Sequence, residues 1–347
     1  MSDKIFLLAD VYQDRKVKIE PEDNIEFVIG SIIANRIINI AYDNLEISSL
    51  PKEVIKILKV LKKNNEKSYD EFIYKMRYLS LLLKDLPCQY ALLKGAYLTT
   101  KLYPKGKRTS NDIDILINGS DLTVLQERLL EDGFIQGEIS ESGDIKKASR
   151  RDIIMSRMNY GETIPFVKMI SKDVKLEVDV NFSLDYKPDT SDDVENMLRK
   201  TVMICFGDFS FYTLCPEDFI IHLCCHLYKE ATVVNWVKDR RDLMLYKFSD
   251  INVFLHTFRN EDFFAKLVDR IHELKLEKEC YYTFLNSGEV FPKLYDIIGY
   301  KEFIVKIKPS DITYLNEIYD VGKKSVHRYS MSFKDWFLCQ DRLAQLK

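Results

Sequence analysis

LLKGAYLTTKLYPKGKRTSNDIDILI, residues 92 to 117, changes pattern repeatedly within a short length. It completes an apolar run that starts at Tyr90, breaks at Lys94-Gly95, and resumes with helical spacing as far as Tyr103. The polar loop PKGKRTSN follows, and then Asp112 to Ile117, where acidic and aliphatic residues alternate. A period of two belongs to a strand, so Asp112 and Asp114 leave one face while Ile113 and Ile115 point into a core. Strand, glycine turn, helix and strand in this order describe a small lobe with a mixed sheet and helices, of α/β or α+β type.

Working outward, residues 20 to 85 have helical periodicity, with Ile25, Val28, Ile29, Ile32 and Ile33 on one face and Val54, Ile57, Leu58 and Leu61 on another. Pro51, after Ser48 and Ser49, suits the first turn of a helix. Downstream, Ser120 is a candidate N-cap for a helix carrying Leu122, Leu125 and Leu129 that stops at Gly133. Ile164 to Ile170 and Val174 to Phe182 read as strands around a Ser-Lys-Asp turn, and Met203 to Leu214 reads as extended. Cys215-Pro216-Glu217-Asp218 then looks like a helix start with acids in its first turn, and helical spacing continues almost to the last residue. The expected organisation is a helical region over 1–85, an α+β core over 86–214 and a helical lobe over 215–347.

At 347 residues the chain can bury a large core, and two or three lobes are expected. Charged residues make up 30% with a net charge of only −3, so no global basic surface favours non-specific binding to nucleic acid. DNA is not expected as a partner, and an RNA would need a local patch. The first residues, MSDKIFLLADVYQDRK, lack the apolar run of a secretory signal, and no stretch reaches about 18 uninterrupted apolar residues. A soluble cytoplasmic protein with no membrane partner is the expectation. The seven cysteines have no C-x-x-C spacing and fit buried small hydrophobes in a reducing compartment.

Two carboxylates on one strand face repel, by on the order of 4 kcal/mol at roughly 4 Å and an effective dielectric near 20. Solvent, a shared proton or a cation relieves that repulsion, and a hard divalent cation such as Mg²⁺ suits oxygen ligands. On the later strand Glu177, Asp179 and Asn181 share a face opposite Leu176, Val178 and Val180. If the two strands are neighbours, Asp179 joins Asp112 and Asp114 in a site of the kind that binds two metal ions in phosphoryl transfer. Taken alone, each acidic pattern is equally an amphipathic edge strand with solvated acids. Gly95 lets backbone approach a triphosphate at a helix N-terminus, or simply makes a tight turn. Arg108, four residues before Asp112, is either a phosphate clamp or a solvated loop residue.

Together these residues resemble the signature of bacterial uncharacterised nucleotidyltransferases of the polymerase β-like nucleotidyltransferase superfamily. That family has a Lys-Gly turn, a helix ending near Tyr-Pro, and an arginine four positions before an Asp-x-Asp strand. Asp132-Gly133-Phe134 and EVDVNF (177–182) resemble its next helix end and its third-carboxylate strand. IIANRIINIAYDNL (32–45) and PEDFIIHLCCHLYKEATVVNWVKDRRDLMLY (216–246) resemble its flanking helical regions. The resemblance implies a polymerase β-like α+β core between helical regions, with Asp112, Asp114 and Asp179 as catalytic metal ligands for two Mg²⁺ ions. It also implies Lys94, Gly95 and Ala96 as the nucleotide loop and Arg108 as a phosphate contact or loop anchor. The implied reaction moves AMP from ATP, the expected NTP donor, to a hydroxyl or similar acceptor, with Asp179 orienting or deprotonating that nucleophile. A peptide or small molecule is favoured over RNA as acceptor. Two departures stand out: Ala96 where Gly or Ser is usual, and Asn181 where a histidine is usual.

Further candidates remain two-sided. Lys238, with Lys229, Arg240 and Arg241, either faces the triphosphate or forms a solvated face with Asp239 and Asp242. His222 and His226, four apart on a predicted helix, suggest zinc but lack a spaced third ligand, which favours packing or the wall of a cleft. Asp185 and Tyr186 could border an acceptor pocket. A catalytically idle nucleotide- or peptide-binding module is the rival function, against which stand three acids that would repel one another without a ligand.

Overall fold

Ile113–Ile117 forms a strand buried along its whole length, and a six-stranded sheet is built around it. The computed structural model describes residues 2–140, 144–184 and 192–347. In chain order the sheet comprises β1 (Tyr90–Leu92), β2 (Ile113–Ile117), β3 (Ile135–Ile139), β4 (Ile145–Lys147), β5 (Phe166–Met169) and β6 (Lys175–Asn181). They lie in the order β1-β2-β6-β5-β3-β4, antiparallel at every junction except the parallel pair β2 and β6. A parallel pair needs a long crossover, which here contains β3, β4 and β5 with the helices Leu122–Glu131 and Arg150–Tyr160. The fold is therefore the α+β arrangement with a mixed sheet that the sequence pattern led us to expect.

Alternation along β2 and β6 separates two faces. Ile113, Ile115 and Ile117 join Leu176, Val178 and Val180 in a core with Phe72, Met76 and Leu79 of the helix Lys52–Leu82, with Leu83 just after it, and with Leu122, Leu125 and Leu129 of the helix Leu122–Glu131. Each such side chain contributes roughly 1.5–3 kcal/mol through burial, so this face is strongly specified and the register cannot slip by one residue. A hairpin of β7 (Val202–Phe206) and β8 (Phe209–Thr213) adds Phe209 and Phe211 to the same core. Its tip uses Gly207 at φ 57°, a conformation that disfavours a side chain. The Thr213 hydroxyl donates to the Leu92 carbonyl at 2.6 Å, fastening the hairpin to β1.

Several local expectations need revision. Asn118, not Ser120, supplies the side-chain oxygen before the helix Leu122–Glu131, accepting from the Ser120 N–H at 3.1 Å across a 3₁₀ turn. The stretch expected to be one helix to Tyr103 is a single α turn, Gly95–Tyr97, that opens into a π turn, Leu98–Leu102, closed by the Tyr103 N–H on the Leu98 carbonyl at 2.9 Å. Nothing in the hydrophobic pattern marks β3, β4 or the helix Arg150–Tyr160: β3 and β4 are short and lie at one edge of the sheet, and the helix sequence is rich in charged and polar residues. Gly133 does end its helix, at φ 86°.

Contacts divide the chain into two compact units, one of residues 65–219 and one of residues 1–64 with 220–347. The second joins the ends of the chain. The Ser249 hydroxyl donates to the Ala9 carbonyl at 2.9 Å, and the Asn252 amide to Asp10 Oδ1 at 3.0 Å. The helices Ile25–Ala34 and Ile38–Asn44 follow the predicted periodicity, as does Pro216–Ala231, which begins at the predicted proline. Within this unit Asp242 is fully buried against Arg342, 2.5 Å away. All seven cysteines are free thiols. Among the described residues no helix is long and apolar enough to cross a membrane.

Candidate active site

The acidic residues lie on the sheet face opposite the β2–β6 aliphatic core. In the parallel β2–β6 pair Asp114 stands directly beside Asp179, as Ile113 does beside Val178 and Ile115 beside Val180. Residues paired in this way share a face, so the two carboxylates project side by side. Asp112 precedes β2 by one residue and is half-buried; Glu177 precedes Asp179 by two and shares its face.

Burial makes this juxtaposition electrostatically tense. It pushes Asp179 well above the usual carboxylate range, and the charges of Asp114 and Asp112 push it further. Burial also raises Asp114, against the pull of Lys94 and Arg108. Glu177 is raised by burial and by Asp112. These acids therefore call for positive charge.

Lys94 supplies some of it. β1 and β2 are antiparallel, and the Leu93 N–H donates to the Asp114 carbonyl at 2.9 Å, which roots Lys94 beside the acid. Its ammonium lies 2.6 Å from Asp114 Oδ1. The Lys94 backbone sits at φ 42°, ψ −112°, outside the regions open to residues with a Cβ. Strain of this kind amounts to about 1–3 kcal/mol and persists only where surrounding structure enforces it.

Gly95 has a packing reason that the sequence does not disclose. A Cβ there would stand 2.3 Å from the Ser110 hydroxyl oxygen and 2.6 Å from Ser110 Cβ. The loop before β2 thus closes directly onto the Lys94-Gly95 turn, and the Ser110 hydroxyl lies 3.4 Å from both the Asp112 carbonyl and Oδ1. The Ala96 methyl belongs to the hydrophobic core, and its N–H donates to the Leu93 carbonyl at 3.0 Å. Arg108 is half-buried, donates to the Thr109 carbonyl and lies close enough to act on Asp114. Lys94, Gly95, Arg108, Asp112, Asp114 and Asp179 are thereby gathered in the unit 65–219. Sequence reasoning missed Ser110 altogether; its place in a polar loop carried no signal.

Lys238 ends the helix Val234–Lys238 in the other unit and is exposed. Arg240 donates to the Gln340 carbonyl at 2.7 Å, and Arg241 lies over the Trp236 ring. On the helix Pro216–Ala231, His222 is buried and His226 Nε2 is 3.5 Å from Glu230 Oε2, a carboxylate also held by Lys247. Asp185 and Tyr186 lie outside the described residues. A pocket of about 280 Å³ lined by Tyr74, Arg77, Tyr78, Leu81, Leu82 and Asp132 opens elsewhere on the unit 65–219. Lys168 binds Tyr78 and Asp132 there, and Lys168 pairs with Leu176 across β5–β6, which puts this pocket on the face away from the carboxylates.

The donor set suits a hard divalent cation in kind, being all carboxylate oxygen, and in register, because Asp114 and Asp179 are paired neighbours. As the side chains stand, no three His, Cys, Asp or Glu groups among the described residues converge tightly enough to hold a metal. Lys94 holds Asp114 instead.

The mixed sheet thus carries paired, largely buried acids on the face away from the aliphatic core, with a strained Lys-Gly turn beside them. The comparisons name the family: residues 21–292 match the model of the family described as uncharacterised nucleotidyltransferase, and the chain belongs to that family. No curated protein matches. Among solved structures, the chain is similar to the crystal structure of an antigenic nucleotidyltransferase-like protein from Paracoccidioides brasiliensis, at 16% identity and a TM-score of 0.38 over 71% of this chain and 98% of that one.

Proposed function

We propose that the unit 65–219 is the catalytic core of a Mg²⁺-dependent nucleotidyltransferase that moves AMP from ATP to a hydroxyl or similar group on a peptide or small molecule, releasing pyrophosphate. The observation that carries this reading is the pairing of Asp114 with Asp179 on parallel strands, next to the Lys94-Gly95 turn. Asp112, Asp114 and Asp179 would hold Mg²⁺, which supplies charge neutralisation at the triphosphate and acidifies the acceptor hydroxyl. Asp179, on the neighbouring parallel strand, orients the acceptor and takes its proton. Arg108 and Lys94 bring the positive charge that phosphate oxygens require. Seven free thiols and a near-neutral surface fit work in the cytoplasm on an acceptor that is not a long nucleic acid.

Isothermal titration with ATP, GTP, CTP and UTP in Mg²⁺, on the native chain and on Asp112→Ala/Asp114→Ala, tests the reading. Binding of one nucleotide, lost in the double variant, followed by pyrophosphate release with a candidate acceptor, is the expected result. Binding that survives the double variant with no pyrophosphate formed under any acceptor would instead identify an idle nucleotide-binding module.

A further inference from the structure

The strained root of Lys94 and the carboxylate it holds belong to one device. Lys94 Nζ and Asp114 Oδ1 are 2.6 Å apart, with side chains only 20% and 8% exposed. The backbone that aims the ammonium is pinned on both sides: the Leu93 N–H is given to the Asp114 carbonyl, the Ala96 N–H to the Leu93 carbonyl, and the Leu98 N–H to the Lys94 carbonyl. Such a network holds a lysine in a conformation it disfavours, and the outcome is a cation placed on the more buried of the two paired acids.

We propose that Lys94 is a built-in stand-in for the divalent cation: its ammonium neutralises Asp114 while the site is empty and withdraws when metal binds, becoming free to meet a phosphate. The proposal rests on the reading of Asp112, Asp114 and Asp179 as metal ligands. An ammonium and a divalent cation held on one carboxylate repel each other, so each weakens the hold of the other. Lys94 therefore competes with the metal, and metal affinity is set by how readily Lys94 leaves.

Two measurements on the full chain decide this, both without nucleotide. In the first, free Mn²⁺ is followed by its paramagnetic resonance signal with the native protein, Lys94→Met, Lys94→Arg and Asp112→Ala/Asp114→Ala. Lys94→Met should bind Mn²⁺ about tenfold more tightly or better, the factor expected when a competitor that fills nine sites in ten is removed; Lys94→Arg, which keeps a cation, should show no such gain. Binding that depends on the aspartates but is equal or weaker in Lys94→Met overturns the role of Lys94 and leaves the metal-site reading standing. Mn²⁺ binding that the double aspartate variant does not alter overturns both. The second measurement needs no variant: acetylation of native Lys94, quantified by mass spectrometry, should rise several-fold when Mg²⁺ replaces EDTA. Unchanged or reduced labelling overturns the proposal even where Lys94→Met does not fold.

Discussion

Replacing Asp179 by asparagine should make this protein more stable. Asp179 and Asp114 are paired across parallel strands, which sets their Cβ atoms about 5 Å apart and gives a repulsion of about 3 kcal/mol at an effective dielectric near 20. Burial, the larger cause of the raised Asp179 pKa, adds to this repulsion and the charge of Lys94 offsets part of it, leaving a gain of about 1–2 kcal/mol for Asp179→Asn in metal-free buffer, or about 2–8 °C in Tm for a unit of this size. The pH dependence follows from the direction of the shift. Because the folded-state pKa of Asp179 is raised, the folded protein retains a proton that the unfolded chain has already released, so native stability falls as pH rises through the window between the ordinary and the raised value. The advantage of Asp179→Asn should therefore grow as pH rises through that window, shrink on acidification and vanish below the ordinary carboxylate pKa, where the acid is protonated in both states. Differential scanning calorimetry across that range, in EDTA, is the assay. A variant no more stable than the native chain at the alkaline end, or a difference that does not change with pH, would refute the picture of repelling buried acids.

Gly95→Ala drives a methyl into Ser110 and should destabilise by about 1–3 kcal/mol in denaturant titration, while the pair Gly95→Ala/Ser110→Gly should recover most of the loss, which is the signature of a direct steric coupling. In the other unit, Arg342→Met strands the buried Asp242 and should lower stability by about 3–5 kcal/mol in calorimetry. Burial already raises the Asp242 pKa and the positive charge of Arg342 opposes that rise, so the penalty should grow with pH, when the stranded acid is forced to ionise. Leu125→Ala, at a fully buried position beneath the sheet, should lower stability by about 2–5 kcal/mol in urea unfolding.

From sequence alone, the alternation in Asp112–Ile117 and Val174–Phe182 sufficed to identify two strands, and the helical spacing near Ile25 and Val54 sufficed for the helices Ile25–Ala34 and Lys52–Leu82. Periodicity is a local property, and each of these segments buries a face large enough to impose it. The acids on those strands were legible for the same reason. What periodicity cannot carry is pairing: only the tertiary structure decides that β6 crosses the sheet to lie parallel to β2, so that Asp179 comes beside Asp114 rather than at a remote edge. The crossover passes through β3, β4 and the helix Arg150–Tyr160, which are short or rich in polar residues and left no pattern to read. The Lys94–Asp114 ion pair and the Gly95–Ser110 contact are likewise products of chain closure, joining residues whose separate appearances suggested only a turn and a polar loop. The packing of Ala9 and Asp10 against Ser249 and Asn252 unites the two ends of the chain through single buried hydrogen bonds. Chemistry was thus written in residue types and local spacing, whereas its assembly depended on long-range register, set by the competition of whole faces for the core.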